Sequence, residues 1–415
     1  MKAICVILLT LLIFLAIFEI CNLESALAQM RQKQYLFPFG QLGKCGYIDQ
    51  TGKYVIKPQF TRANRFSEGL AGVWLDKKWG YIDETGKKVI EPRFDYISSF
   101  SEGIAAVCLE GKWGFIDKNG TVVIKPEFTR LLSFSDGLAA AKDNDNWGYI
   151  DKRGRFAIEP LFDRTGSFSE GLGYVKLKGK WGYVNLKGEV VIEPRFDHCL
   201  KFHEGLASVK IGDKWGFIDK KGELIIEPSF DKAWIFSKGL ALVEVDDKRG
   251  YIDKTGEFII LPRFDTAGLY FSEGLSFVNI GGTWEGVRLV GGKYGYIDET
   301  GKMVIKQQFD HAWDFAEGLA CVNIGGERKG PSVIGGKWSY IDKAGKFVMI
   351  LESAFEEAKS FSEGLAAVRV SDRWGFIDNR GEVVIEPQFD YASDFSEGLA
   401  RVKVSSVTRG GIGPP

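Results

Sequence analysis

The sequence predicts an all-β protein, a tandem array of about ten small antiparallel units stacked on one another. Three observations carry that prediction. A Trp-Gly pair, or a substitute for it, returns at a near-constant step along the chain. The intervals are filled with Val, Ile, Phe and Tyr between Asp-x-x-Gly and acid-Gly steps, which is the chemistry of strands and tight turns. Apolar residues make up 45% of the 415 residues and aromatics 13%, enough for a buried core and too much for a disordered chain.

The period sets the architecture. The Trp-Gly slot holds Cys45, Trp79, Trp113, Trp147, Trp181, Trp215, Arg249, Tyr294, Trp338 and Trp374, with steps of 34 residues six times and then 45, 44 and 36. A Phe recurs in phase at Phe60, Phe94, Phe128, Phe162, Phe196, Phe230, Phe264, Phe309, Phe355 and Phe389.

Residues 1–28 read as a secretory signal. Lys2 precedes an apolar run from Ile4 to Phe18, and Ala26-Leu27-Ala28 offers a small-x-small cleavage site. Glu19 stops the run short of the roughly 20 residues a spanning helix needs. The expectation is a secreted or periplasmic chain with no stable membrane insertion once cleaved after Ala28. Residues 29–43 read as a spacer with a degraded first strand, 44–404 as the array, and 405–415 as a Ser/Gly/Pro-rich tail.

Within a unit three strands are expected. Trp79 to Asp83 forms the first; Asp83-Glu84-Thr85-Gly86 turns the chain. Lys87 to Glu91 returns and stops at Pro92, which cannot donate to a ladder. Arg93 to Ser99 reads as a connection, Phe100-Ser101-Glu102-Gly103 as a step, and Ile104 to Leu109 as the third strand. Adjacent apolar residues such as Val89-Ile90 place apolar groups on both faces, so each unit must be sandwiched between neighbours. Trp79, Trp113, Trp147, Trp181, Trp215, Trp338 and Trp374 are assigned to this packing, each ring laid across a Gly or Ala of the adjacent unit. Ten units of three strands with unequal spacing favour an open twisted superhelix over a closed propeller-like ring, whose blades usually have four strands and number about four to eight.

The residues Lys78-Trp79-Gly80-Tyr81-Ile82-Asp83 with Val89-Ile90-Glu91-Pro92, repeated at Lys112-Trp113-Gly114 and Lys214-Trp215-Gly216, resemble the WG-repeat (KWG-repeat) family of bacterial tandem β-repeat proteins. The resemblance spans about residues 44–404. It implies a β-rich, often exported protein and carries over no catalytic residue. Cys45, Arg249, Tyr294, Ser339 and Gln307 depart from the motif.

Charge and chemistry narrow the function. Removing residues 1–28 leaves 53 basic and 53 acidic residues, a balance that argues against a nucleic-acid partner. Cys45, Cys108, Cys199 and Cys321 occupy four different slots and form no disulfide or metal pattern. The turn aspartates, Asp83 and its equivalents, read as turn caps rather than calcium ligands, since one acid per turn is too few for an oxygen site. His198, His203 and His311 lie in connections beside no distinct nucleophile. No enzyme activity and no cofactor are expected. A hydrolase with acids hidden in the array is the weakest reading.

One departure points to a site. Long insertions precede the eighth and ninth slots, Asn279-Ile280-Gly281-Gly282 to Val290-Gly291-Gly292 and Asn323-Ile324-Gly325-Gly326 to Ile334-Gly335-Gly336. They occupy the same hairpin of adjacent units, so they should project side by side. Their tips hold Thr283, Trp284, Glu285 and Arg288, and Glu327, Arg328 and Lys329, with Trp284 as the expected contact anchor. The sequence thus favours an exported, non-enzymatic scaffold that binds a protein or envelope component. The alternative is a cell-envelope glycan or peptidoglycan binder that uses the repeat aromatics.

Overall fold

In the computed structural model residues 43–405 are described, apart from 287, 330, 331 and 352–354; for 288, 328, 329 and 332 only the backbone is described. The segment expected to be a signal, nearly all of the expected spacer, and the tail beyond 405 lie outside the described residues.

The array is a closed ring. Ten four-stranded antiparallel sheets follow one another as the blades of a propeller. Nine take their strands from consecutive chain; blade 2, for example, runs Arg62–Ala63, Leu70–Leu75, Lys78–Asp83, Lys88–Phe94. Blade 1 is built from both ends of the array. Its first two strands are Tyr391–Ala392 and Ala400–Val404, and its last two are Lys44–Ile48 and Tyr54–Phe60. The ends join in register from Lys44↔Val404 to Ile48↔Ala400. The expected open superhelix is therefore overturned in favour of the ring.

Two physical reasons account for the difference. The strand that sequence reading misses, the first of each blade, lies inside the stretch expected to be a connection; in most blades it is only two residues long (Arg62–Ala63, Tyr96–Ile97) and too short to show an alternating pattern. The long spacings do not make unequal wedges either. The extra residues extend the hairpin between the second and third strands of blades 8 and 9, Leu275–Glu285 with Arg288–Asp298 and Ala320–Lys329 with Ser332–Ile341.

The two faces of the ring are built differently. One carries the acid-Gly steps and the Asp-x-x-Gly turns, and is called here the step face. In the step Ser67-Glu68-Gly69-Leu70 both central residues have positive φ, 55° and 80°, with Ser67 bridged to Leu70. That is the geometry of a two-residue primed hairpin. The acid then reaches round the ring. Glu68 accepts the Gly103 amide at 3.1 Å, Glu170 that of Gly205 at 3.1 Å, and Glu363 that of Gly398 at 3.0 Å. Glu397 of the last step closes the circle on Gly69 at 3.1 Å. In the turns the Asp83 carboxylate accepts the amides of Thr85 and Lys87, each at 3.0 Å. Gly86 packs on Ile56 of the preceding blade, and Gly52 packs on Ile385 across the seam.

The residue after Trp-Gly is the buried pin of each joint. Tyr47, Tyr81, Tyr149, Tyr183, Tyr251, Tyr296 and Tyr340 are fully buried. Tyr81 donates its hydroxyl to the Ser98 carbonyl of the next blade at 2.7 Å, and Tyr251 to that of Gly268 at 2.6 Å. Burial pushes these phenols well above their usual range, so they act as neutral donors.

The glycine of the Trp-Gly pair serves its own blade and not, as expected, the ring of an adjacent one. A Cβ on Gly114 would stand 2.4 Å from the Ile124 carbonyl oxygen and 2.6 Å from the Pro126 nitrogen. There the fourth strand bulges, so that Phe115 pairs with Ile124 but Trp113 with Phe128. Trp181, Trp338 and Trp374 are buried, while Trp79, Trp113, Trp147 and Trp215 are half-buried. Their neighbours include aromatic rings: Trp113 stacks on Tyr96 of its own blade at 6.2 Å.

Candidate interaction face

The second face carries the hairpins between second and third strands and the crossovers between blades. A regular crossover is an ionic clasp. Asp95 takes the Lys78 ammonium of one blade at 2.5 Å and the Glu110 amide of the next blade's hairpin at 2.7 Å. Asp197 does the same with Lys180 and Gly212, and Asp231 with Lys214 and Asp246. The Lys78 ammonium, followed by the Glu110 amide, holds the Asp95 carboxyl below its usual range.

Blades 7 to 9 elaborate this plan. Arg249 stands in the Trp slot of blade 7, and its guanidinium lies between two indoles, 5.1 Å from Trp234 and 5.5 Å from Trp284. It donates to the buried Glu244 at 3.1 Å and to Thr266 at 2.9 Å; Lys232 holds the other Glu244 oxygen at 2.5 Å. The Trp284 ring nitrogen donates to the Asp265 carbonyl at 3.1 Å, and the Asp265 carboxylate accepts the Gly282 amide at 2.9 Å and pairs with Lys248. The blade 8 hairpin is thereby laid against blade 7, where the usual indole is missing. Trp284 remains 40% exposed, so the anchor expected to be free is held on one face and offers the other.

The hairpins share a root. Asn279 and Asn323 are fully buried beneath paired glycines. A Cβ on Gly292 or Gly336 would lie 2.2 or 2.3 Å from the respective Asn side-chain oxygen. Gly325 is also clasped, its amide 2.6 Å from Asp310. Beyond the roots Trp284 pairs with Leu289 and Arg328 with Val333, so the two occupy equivalent ladder positions. Leu289 and Val333 are buried. Thr283, Glu285 and Glu327 are exposed. Arg288, Arg328 and Lys329 lie on the hairpin strands, their side chains outside the description. The sequence misses the Arg249–Trp284 pairing; the available signal was that the units with Arg249 and Tyr294 in the Trp slot each precede an insertion.

Among the described residues no three His, Cys, Asp or Glu side chains stand together as a cation site. The four cysteines are buried and unbridged, and burial raises the Cys199 thiol to about 12.

A sequence profile described as "WG containing repeat" matches ten times in tandem: 46–79, 79–113, 113–147, 147–181, 181–215, 215–248, 250–284, 294–327, 338–374 and 374–406. The chain belongs to the WG-containing repeat family. No curated protein matches its sequence. Solved structures similar to it include a eukaryotic initiation factor, at 14% identity over 83% of this chain and 95% of that one, TM-score 0.47. The extracellular domain of the hybrid two-component system BT3049 of B. thetaiotaomicron is 10% identical over 80% of this chain and 52% of its own, TM-score 0.24. PorZ, a surface component of the type-IX secretion system of Porphyromonas gingivalis, is 10% identical over 78% and 51%, TM-score 0.27. The family profile begins each repeat at the Trp-Gly slot, whereas a blade begins two strands earlier, so each WG repeat straddles two blades.

Proposed function

We propose that this WG-repeat ring is an exported, non-enzymatic binding scaffold, and that it holds a protein or envelope partner on the hairpin face of blades 8 and 9. One observation carries the reading: two long hairpins spring from the same position of adjacent blades, and both are rooted by Gly-Gly pairs over a buried Asn. A repeat protein places function where it departs from its repeat, and these are its largest departures. The exposed side of Trp284, with Thr283, Glu285 and Glu327, is the contact surface. The signal-like residues 1–28 support export.

Binding through the repeat indoles as a sugar platform is the second reading, favoured by the four half-buried tryptophans. Its weakness is that Trp113 already spends one face on Tyr96, and Trp79 lies edge-on to Trp74 at 5.4 Å. The test replaces 281–292 and 325–336 with two-residue turns and compares capture of native envelope components by the full and shortened mature chains. Loss of the captured species is expected. Undiminished capture overturns the reading, and capture of peptidoglycan by both forms favours the second.

A further inference from the structure

The rim of the ring suggests a second, self-directed surface. The fourth strand is last in every blade's hydrogen-bonded order, so among the described residues its outer flank joins no other strand. Such edges invite pairing with another chain, and natural proteins guard them with charge. Here the charge is patterned. In blade 8 the edge reads Lys302-Met303-Val304-Ile305-Lys306, and in blade 6 Glu223-Leu224-Ile225-Ile226-Glu227. The four charged side chains are exposed, as are Val304, Leu224 and Ile225.

The neighbouring blades widen both patches. Blade 9 adds Lys346 with Val348 and Ile350, the last 63% exposed, and blade 5 adds Glu189 and Glu193 with Val190 and Val191. Leu261 and Ile350 stand where most blades place Lys or Glu: Lys57, Glu91, Lys125, Glu159, Glu193, Glu227, Lys306 or Glu386. The aliphatic content of this arc therefore exceeds what the repeat prescribes.

We infer that the lysine edge of blade 8 docks on the glutamate edge of blade 6 of a second copy of this chain. Antiparallel alignment about Val304 and Ile225 sets Lys302 opposite Glu227 and Lys306 opposite Glu223, with the aliphatic side chains between the two ion pairs. Like edges repel and unlike edges match, because opposite charges directly across a ladder stabilise it and like charges destabilise it. The two patches lie on different blades of one ring, so the contact is head-to-tail. It propagates into chains of rings, or closes if the rotation allows. Backbone pairing along an exposed edge supplies adhesion, and the charges supply register.

The experiment uses the mature full chain in sedimentation velocity over a range of concentrations and salt. Wild type is expected to form dimers and larger species that dissociate as salt rises. K302E/K306E and E223K/E227K should each weaken association about tenfold or more, with unchanged thermal melting because the positions are exposed. An equimolar mixture of the two variants should reassociate, since the blade 8 edge of each then meets an oppositely charged blade 6 edge on the other. A wild type that stays monomeric throughout overturns the inference. So do variants that associate like wild type, or a mixture that remains monomeric.

Discussion

The two faces of the ring carry the same number of blades and opposite amounts of variation. On the step face nearly every blade repeats one solution: an acid reaches forward to the next Gly amide, a turn glycine presses on the preceding blade's Ile, and Glu397 and Gly52 repeat both across the seam. On the hairpin face the clasp of Asp95 is kept, but Arg249 replaces an indole, two hairpins lengthen, and Trp284 is recruited to cover the gap. A ring of equal wedges needs one face held constant. Variation is then free on the other face, provided the extra chain runs outward and not between blades.

The largest effect expected from breaking this arrangement comes at the seam. Ending the chain at Gly398 removes Ala400–Val404, the strand bonded to Lys44–Ile48. In an open solenoid, loss of a terminal strand frays one unit. In the ring it also strips Ala400 and Val402 from Ile48, takes Leu399 from the cluster that holds Cys45 and Tyr47, and exposes the edge of the Lys44–Ile48 strand. Limited proteolysis should therefore cut the truncated chain rapidly while the full chain resists. Equal resistance would mean that the seam contributes nothing to closure.

How far the sequence revealed this can be said residue by residue. The period, the Asp-x-x-Gly turns and the long hairpins are legible because each is local: a carboxylate caps amides two and four residues on, as Asp83 does. Closure is not local, since Lys44 pairs with Val404. A signal for it was present nonetheless. The array opens on a third strand, Lys44–Ile48, and ends on a second strand, Ala400–Val404, so its ends are complementary halves of one blade. The two-residue first strands had no such signal. The Trp-Gly pairing points to the Trp as the packing residue, yet the Tyr two places later is the more deeply buried pin, reaching the next blade with its hydroxyl. At the candidate site the hairpins were legible from their paired glycines, but the role of Trp284 depends on Arg249, 35 positions earlier, and no periodicity links them.

A middle-sized effect sharpens the comparison on the hairpin face. Trp284→Ala removes a ring held by a guanidinium and by one hydrogen bond, interactions worth about 1–2 kcal/mol together at a half-exposed site. Amide exchange should accelerate along 280–285 and 288–292, with protection of the step face unchanged. Arg249→Met should give the same local loosening, and the double variant should lose less than the sum of the two single losses, because both remove one contact. Strict additivity would separate the hairpin's anchoring from blade 7.

The smallest effect concerns the step face and acid. The Lys118 ammonium, followed by the Gly103 amide, holds the Glu68 carboxyl below its usual range, and Lys343 with the Gly318 amide does the same for Glu273. A carboxylate whose folded pKa lies below its unfolded value stabilises the fold fully above the unfolded value, and that contribution fades as pH falls through the folded one. These groups are partly exposed, so each contributes little and salt screens it further. Glu68→Gln should thus lower the melting temperature slightly at neutral pH, and the gap from wild type should close on acidification below about pH 4. A Glu68→Gln deficit that persists at low pH would assign the loss to the geometry of the step and not to its charge.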